Sequence, residues 1–454
     1  MSEKRSSKTK SISKPMVVKI ERQNIITILM LSTAGQIAWA VENGWFNTFV
    51  YDRITTDPTP VAWMVAVSAI TATLTTIIMG ILSDRTSGKW GKRKPYIVFG
   101  YILWGLITAL YPLTEWIQVV GIAIIMVIVA DAVMTFFGST ANDAAYNAWC
   151  TDIGHSSNRN RIQSLNSIAT FLAQLVTAVG AGTIIEAFGD SGYFVFFYLL
   201  GGIVMATGVI CSLLIKSTPV KKEEITTEKT ILQEFTSLVN PQLLKDNRTL
   251  FLLFLNMALG GIASQIYMPY LLIFLEHYMG FSKTDISIYM AGFMFFTVIS
   301  LVIIGIVSHR FNRKSMVLWG SLIGGIIFII VGFASFSLAG GGPISSGIFV
   351  LYFLAMLPGF ASGIAHGGWL LDNYPEGDVG KFQGIRMIFM VLLPMVIGPP
   401  IGAAIIRAFG IPSADGYIPT PEIFIFGGIL SMFAILPILF IKKSEGIIKF
   451  ANNQ

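Results

Sequence analysis

Five ionisable residues stand inside long apolar runs of this chain: Glu42, Asp131, Asp143, Glu186 and Arg386. A charge in hydrocarbon costs at least a few kcal/mol, so each must face a cavity, a partner or the water at a membrane edge. Asp131 falls near the middle of its run and Asp143 nearer one end. Twelve residues separate them, which on a helix turns the two carboxylates about 120° apart, so they need not line one cavity. A carboxylate that burial holds protonated can carry a proton, and Asp131 and Asp143 are the candidates. Glu42 and Glu186 lie toward the ends of their runs, where water reaches them, which predicts a solvated or gating role. Arg386 either supplies a cation to a cavity or caps the end of its run.

These residues need membrane helices to position them. Of 454 residues, 54% are hydrophobic and 12% charged, with a mean hydropathy of +0.70, a composition outside the soluble globular range. The apolar runs reach the roughly 20 residues that cross a bilayer. Twelve are counted: 24–51, 61–83, 96–114, 117–148, 161–187, 193–215, 249–275, 284–307, 315–337, 346–371, 382–408 and 422–441. Lipid offers the backbone no hydrogen-bond partner, and the runs are too long for barrel strands, so all are expected to be helices. With the first residue inside, 28 of the 31 Lys and Arg fall on inner segments, leaving Arg53, Lys283 and Arg407 outside; both termini are therefore expected in the cytoplasm. The net charge of +6 then reflects topology and anionic lipid, and no basic face on a soluble domain suggests nucleic acid.

The organisation expected is a basic cytoplasmic tail 1–23 with no signal-peptide pattern, a six-helix half 24–215, a cytoplasmic linker 216–248, a second six-helix half 249–441 and a tail 442–454. Within the linker, Ile231, Phe235 and Leu238 fall at helical spacing. The halves repeat each other. Gly80-Ile-Leu-Ser-Asp84-Arg85 recurs as Gly305-Ile-Val-Ser-His309-Arg310, between the second and third span of each half. Asp152, Arg161-Ile-Gln163 and Ile-Ile-Glu-Ala-Phe-Gly189 recur, at an almost constant offset, as Asp372, Lys381-Phe-Gln383 and Ile-Ile-Arg-Ala-Phe-Gly410. Two ordered matches at equivalent loops argue for a duplicated unit, the arrangement of transporters that rock around a central site. Cys150 and Cys211 sit toward the inner face, where thiols stay reduced. His155, His277, His309 and His366 show no metal-ligand spacing, so neither a metal nor a cofactor is expected.

The charged turn after the second span, with Gly80, Asp84, Arg85, Gly91, Lys92 and Arg93, resembles the inner-gate motif of the major facilitator superfamily. Its fuller form, Ser83-Asp-Arg-Thr86, a short spacer and Trp90-Gly-Lys-Arg-Lys-Pro-Tyr96, resembles the glycoside-pentoside-hexuronide:cation symporters. Gln36-Ile-Ala-Trp39-Ala40 and the run from Gln383-Gly384 through Pro394 to Gly398-Pro399 are similar to the sucrose-transporter-like branch. The resemblance implies a major facilitator fold, an all-α polytopic protein of twelve transmembrane helices, and a gate of Gly80, Asp84, Arg85, Gly91, Lys92, Arg93, Asp152, Arg161, Arg310, Asp372 and Lys381. Asp143-Ala-Ala-Tyr146-Asn-Ala148 resembles the family segment Asp-x-Pro-Tyr-x-Ala, with Ala145 in place of Pro. It implies a part for Asp143 in sugar and cation binding.

Departures from that pattern bear on the cation. The second span has no acid, only Ser68, Thr71 and Thr75 on one helical face; Asn166 stands near the family's fifth-span arginine, and 387–408 contains no lysine. That disfavours sodium and favours a proton, taken by Asp131 or Asp143. Sugar recognition needs aromatic faces and hydrogen-bonding side chains, and Gln36, Trp39, Asn43, Asp143, Tyr146, Trp149, Gln265 and Trp369 are the expected set, with Tyr267 and His366 beside them. Singly, each aromatic has core packing or the interfacial belt as its ordinary role. The expectation is a monomeric multi-pass transporter of the plasma membrane, not an enzyme, symporting a sugar with a proton. A transporter of another polar solute, an exporter, a sodium-coupled carrier and a polytopic membrane enzyme are the alternatives.

Overall fold

The computed structural model describes residues 20–154, 158–216, 247–340, 344–375 and 379–441, with the backbone alone for 379–381 and 383. The linker and both tails fall almost wholly outside the described residues. Twelve helices are long and apolar enough to span a membrane: α1 (Arg22–Arg53), α2 (Pro58–Asp84), α3 (Lys94–Trp116), α4 (Val120–Asp152), α5 (Arg159–Ala187), α6 (Gly189–Leu214), α7 (Arg248–Tyr278), α8 (Lys283–Arg310), α9 (Arg313–Leu338), α10 (Gly347–Asn373), α11 (Gly384–Phe409) and α12 (Glu422–Leu439). Each lies within four residues of its expected bounds. They alternate between a basic face, which carries the 85–93 turn, and a far face. Among the described residues, only a short hairpin, β1 (Ile411–Ser413) with β2 (Gly416–Ile418), breaks the helical pattern on the far face.

Local chemistry sets the helix starts. Asp57 caps α2 by accepting from Thr59 N, with Pro58 at the first position, whose missing N–H costs nothing there. Ser282 caps α8 and Asn312 caps α9 in the same way. Inside each half, glycines let two helices touch backbone to backbone, the usual solution where lipid removes the hydrophobic drive for association. A Cβ on Gly105 of α3 would lie 2.5 Å from Gly201 O of α6. One on Gly325 of α9 would lie 2.6 Å from Gly428 O of α12, the same crossing in the second half. Against the first crossing packs an aromatic cluster at the far end, where Phe46 and Tyr111 rings lie 4.3 Å apart and Phe49 and Phe197 5.6 Å.

The halves meet on the far face, where α5 packs on α8 and α2 on α11. Asp52, at the end of α1, accepts from Tyr193 Oη at 2.6 Å, pairs with Lys283 Nζ at 2.9 Å and faces His277 Nε2 at 2.9 Å. Lys283 also pairs with Glu276. Asp52, Glu276 and His277 come close enough to hold a metal, but the Lys283 ammonium pairs with both carboxylates. Glu186 accepts from Thr284 N at 2.6 Å, satisfying an orphan amide in the first turn of α8. Ser287 Oγ accepts from Gly182 N at 3.0 Å. Arg407 donates to Asp57 at 2.6 and 3.2 Å, and the hairpin docks through Tyr417 N to Thr56 O at 3.1 Å. On the basic face, every ion pair among the described residues joins groups of one half.

Replacing Gly105 or Gly201 by Leu is expected to abolish a monodisperse purified protein, since such overpacking costs about 1–3 kcal/mol or more. Gly80→Ala, whose Cβ meets nothing within 4 Å, is expected to leave the yield unchanged; size-exclusion profiles of the three variants decide this. Lys283→Met leaves Asp52 and Glu276 without their shared cation and is expected to part the far face. Spin labels at Trp116→Cys and Ile344→Cys, exposed far-face sites on opposite halves, should then report a longer mean separation. Burial alone would raise Asp57, yet the hydrogen bonds from Arg407 and Thr59 hold it below the usual carboxylate value. Its contribution to closure is therefore complete above the ordinary aspartate range near 4 and fades only as pH falls through the lower, paired value. The label separation should stay constant from pH 8 to 5.

Candidate functional site

Several helices are irregular, and most of the candidate residues gather on four of them. α1 breaks at Asn43 and Gly44, where Asn43 Nδ2 donates to Trp39 O at 2.7 Å. α4 widens into a π-helix over Ser139–Tyr146, the segment that carries Asp143. α7 breaks before Pro269, and α11 holds a π-turn over Ile388–Leu392 followed by Pro394. Wide turns and breaks misalign backbone pairs, and helices at membrane depth carry them where they line protein or a cavity.

Between the halves, beneath the far-face closure, lies a cavity of about 380 Å³. Gln36, Trp39, Asn43 and Gln174 line it from the first half, and Met268, Ser287 and Met290 from the second. Trp39 packs at a tilt on Trp104, their ring centroids 4.9 Å apart. Gln36, Trp39 and Asn43, expected from the sequence to take part in recognition, line one cavity together; Gln174 was not singled out.

Glu42 and Asp131 are placed together. Glu42 is 8% exposed and Asp131 1%, which corrects the expectation that water reaches Glu42. Ser68 of α2 donates to Glu42 Oε1 at 2.8 Å, as does Thr135 of α4 at 3.0 Å, and the two hydroxyls lie 2.7 Å apart. Asp131 lies near enough to Glu42 and Ser68 to interact with both electrostatically. Glu42 Oε2 and Asp131 Oδ1 are buried with no partner, and among the described residues no cationic side chain pairs with either. Sequence reading named Asp131 for a proton but did not join it to Glu42, because the members come from α1, α2 and α4. The hydroxyl at Ser68, read as one of three on a face, was the available signal.

Asp143 is only half-buried and its charge acts on Glu42; it accepts from Ser139 Oγ at 3.0 Å and Asn142 Nδ2 at 3.2 Å. Tyr146 donates its hydroxyl to Asn166 and is 3% exposed; Trp149 is 7% exposed. Both belong to the packed core of the first half and so hold α4 in place. Trp369 is likewise fully buried among Leu253, Phe254 and Phe382. Trp149 and Trp369 are related by the same offset as Asp152 and Asp372, the same packing residue in each repeat. Gln265 packs where α7 meets Gly398 of α11.

On the basic face Arg93 pairs with Asp84 and with Asp152, at 3.1 Å to the latter, and donates to Ser83 Oγ at 2.5 Å. The second half repeats this with Arg313 on Asp372, so Arg313, which was not singled out, is the counterpart of Arg93. Arg310 and Arg161 are exposed, and the Lys381 side chain lies outside the described residues. Lys94 Nζ donates to Ile215 O at 2.9 Å, and Lys314 to Ile441 O, each cation meeting the end carbonyls of its half's last helix. Arg93-Lys94 recurring as Arg313-Lys314 was readable at the offset that relates Asp152 to Asp372. Gly91 adopts φ +77°, the left-handed turn that glycine makes without strain, whereas Gly80 stands in open space.

A family model described as MFS/sugar transport protein matches residues 28–442. No curated protein matches the chain. Among solved structures, a D-xylose-proton symporter is similar with a TM-score of 0.65 at 14% identity, over 93% of this chain and 99% of that one. A bacterial homologue of the human lysosomal transporter Spinster, in an inward-facing and unoccupied conformation, gives 0.67 at 14% identity, over 93% and 96%. Its inward-facing occupied form gives 0.62 at 11%, over 92% and 94%. At such identities the likeness speaks to the fold, twelve helices in two six-helix repeats. With the family model spanning all twelve membrane helices, the chain belongs to the MFS/sugar transport protein family of the major facilitator superfamily.

Proposed function

We propose that this membrane transporter moves a sugar together with a proton by alternating access, and that Glu42 and Asp131 hold the proton. The observation that carries the reading is their shared burial. Two adjacent carboxylates with unpartnered oxygens and no cationic side chain would cost far more as two anions than any hydroxyl can offset. One proton held between them removes that cost, and its release and uptake then follow the opening of the halves. Sodium would need several oxygens at close range, and the pair with Ser68 and Thr135 supplies four side chains for it; a proton needs only the two carboxylates.

The sugar reading rests on the family and on the cavity at Gln36, Trp39 and Asn43, amides and an aromatic face of the kind a polyhydroxylated ring requires. Asp143, half-buried in the π-segment, is assigned to substrate binding, and the sucrose-like motifs favour a glycoside. With the basic face in the cytoplasm of the plasma membrane, both termini lie inside, and a far face closed by Asp52, Lys283, Glu186 and Asp57 is the inward-facing state of a monomer. In that state Arg93 and Arg313 are each held by acids of their own half. The gate assigned to Asp84, Arg85, Lys92, Arg93, Asp152, Arg161, Asp372 and Lys381 closes when these charges are shared across halves.

The test is uptake of labelled sucrose and maltose by the purified protein in liposomes, under an imposed pH gradient and then a sodium gradient. Acid outside is expected to drive uptake. Glu42→Gln and Asp131→Asn should each abolish accumulation while leaving sugar exchange at equal pH, and Asp143→Asn should raise KM. Sodium-driven uptake, or pH-driven accumulation surviving in both variants, would contradict the assignment of the pair. Transport of neither sugar by the wild type would contradict the cargo.

A further inference from the structure

The two halves share a backbone plan but differ in what fills it. At the α3–α6 crossing the first half places Tyr101 and Trp104, both with no exposed surface. Tyr101 Oη lies 2.7 Å from Leu31 O and 3.0 Å from Asn142 Oδ1, and Trp104 fills the space beside Gly138. In the second half the repeat offset, the one that takes Arg93 to Arg313, puts Ser321 where Tyr101 stands and Gly324 where Trp104 stands. The Gly325–Gly428 crossing keeps the helices at the same approach, so the missing aromatic volume is not recovered by collapse. A hollow of about 320 Å³ remains among α7, α9, α10, α11 and α12.

That hollow is not apolar. His366 lines it and is 6% exposed. Its Nδ1 lies 2.9 Å from Ser362 O; a carbonyl only accepts, so Nδ1 carries the proton. None of the lining residues is acidic, so nothing there compensates a buried imidazolium, and the ring is neutral. Nε2 is thus a bare acceptor, buried and without a partner. Ser321, Ser362 and Asn256 add hydroxyls and an amide around it, and Tyr267 and Phe328, their rings 4.9 Å apart, supply an aromatic wall. Gly260, Gly359 and Gly363 keep other parts of the wall low, since a Cβ on any of them would meet nothing within 4 Å.

We propose that this hollow in the second half seats one ring of the transported sugar, with a ring hydroxyl donating to His366 Nε2 and the ring's C–H face against Tyr267. The inference rests on the sugar reading above and adds to it a subsite that the first half has closed with Trp104 and Tyr101. The volume stands at the low end of small-molecule sites, about 300–1,000 Å³, which suits a single ring. A buried acceptor with no donor is an unmet hydrogen bond that a hydroxyl ligand satisfies.

Two substitutions test it by different means. Gly324→Leu refills the space Trp104 occupies in the other half, and its Cβ would meet only Pro358 Cβ at 3.7 Å and Ala355 O at 3.8 Å, ordinary contacts. His366→Phe removes the acceptor without closing the hollow, and His366→Gln restores an acceptor. Binding of sucrose and maltose to the purified full-length variants would be measured by calorimetry, beside KM for uptake in liposomes and the melting temperature. Gly324→Leu and His366→Phe are each expected to weaken binding roughly tenfold or more, with His366→Gln recovering most of it and melting temperatures near wild type. Wild-type affinity in both Gly324→Leu and His366→Phe would overturn the subsite while leaving sugar transport standing. Binding of neither sugar by the wild type would overturn the subsite and the sugar reading together.

Discussion

Hydrocarbon tolerates no unpaired charge and no unpaired amide, and the structure follows from how this chain meets that constraint. The backbone amides are paired within twelve helices, interrupted only where protein or cavity lines the break. Acids and bases at membrane depth are gathered into a few places. Arg93 and Arg313 meet acids of their own half at the basic face; Asp52, Glu276 and Lys283 form a compact set at the far face; Glu42, held by the hydroxyls of Ser68 and Thr135, lies with Asp131 in the interior. The pair is the most deeply buried of these groups, and among the described residues no cation accompanies it. A site that the protein leaves unneutralised is one that something mobile must neutralise, and the smallest such species is a proton.

The far-face closure and the interior pair are arranged on the same helices. α1 carries Glu42 just before its break and Asp52 near the end of the segment that follows it, and α2 carries Asp57 at its cap and Ser68 three turns deeper. A movement that parts Asp52 from Lys283 and Asp57 from Arg407 therefore displaces the helices that hold the pair. In the proposed mechanism, coupling of ion to gate then needs no long pathway, only α1 and α2, each of which carries one group of both sites.

The fold was nearly all readable in the sequence, because hydropathy sustained over the length of a bilayer span and the positions of Lys and Arg are direct consequences of the membrane. The duplication was readable too, and further than two motifs: Arg93-Lys94 with Arg313-Lys314, and Trp149 with Trp369, lie on the same offset. The site was only partly readable. Gln36, Trp39 and Asn43 share one stretch of α1, so their convergence is local. Glu42 with Ser68, Thr135 and Asp131 needs three helices to be packed before it exists, and Glu42 taken alone looked like a group at a wet edge. Trp369 illustrates the opposite error, an aromatic of the right type whose register turns it into the core. The hollow beside His366 was invisible for a different reason. It is made by what is missing, Gly324 against Trp104, and only superimposed repeats reveal an omission.

The central claim is that one proton resides between Glu42 and Asp131 when the far face is closed. Infrared difference spectroscopy of the carboxyl C=O stretch, on the purified protein in lipid at neutral pH, tests it most directly. The expected result is a protonated-carboxyl band that shifts in deuterated water and is lost or moved in both Glu42→Gln and Asp131→Asn. A spectrum without that band, or one whose band is untouched by both substitutions, would contradict it.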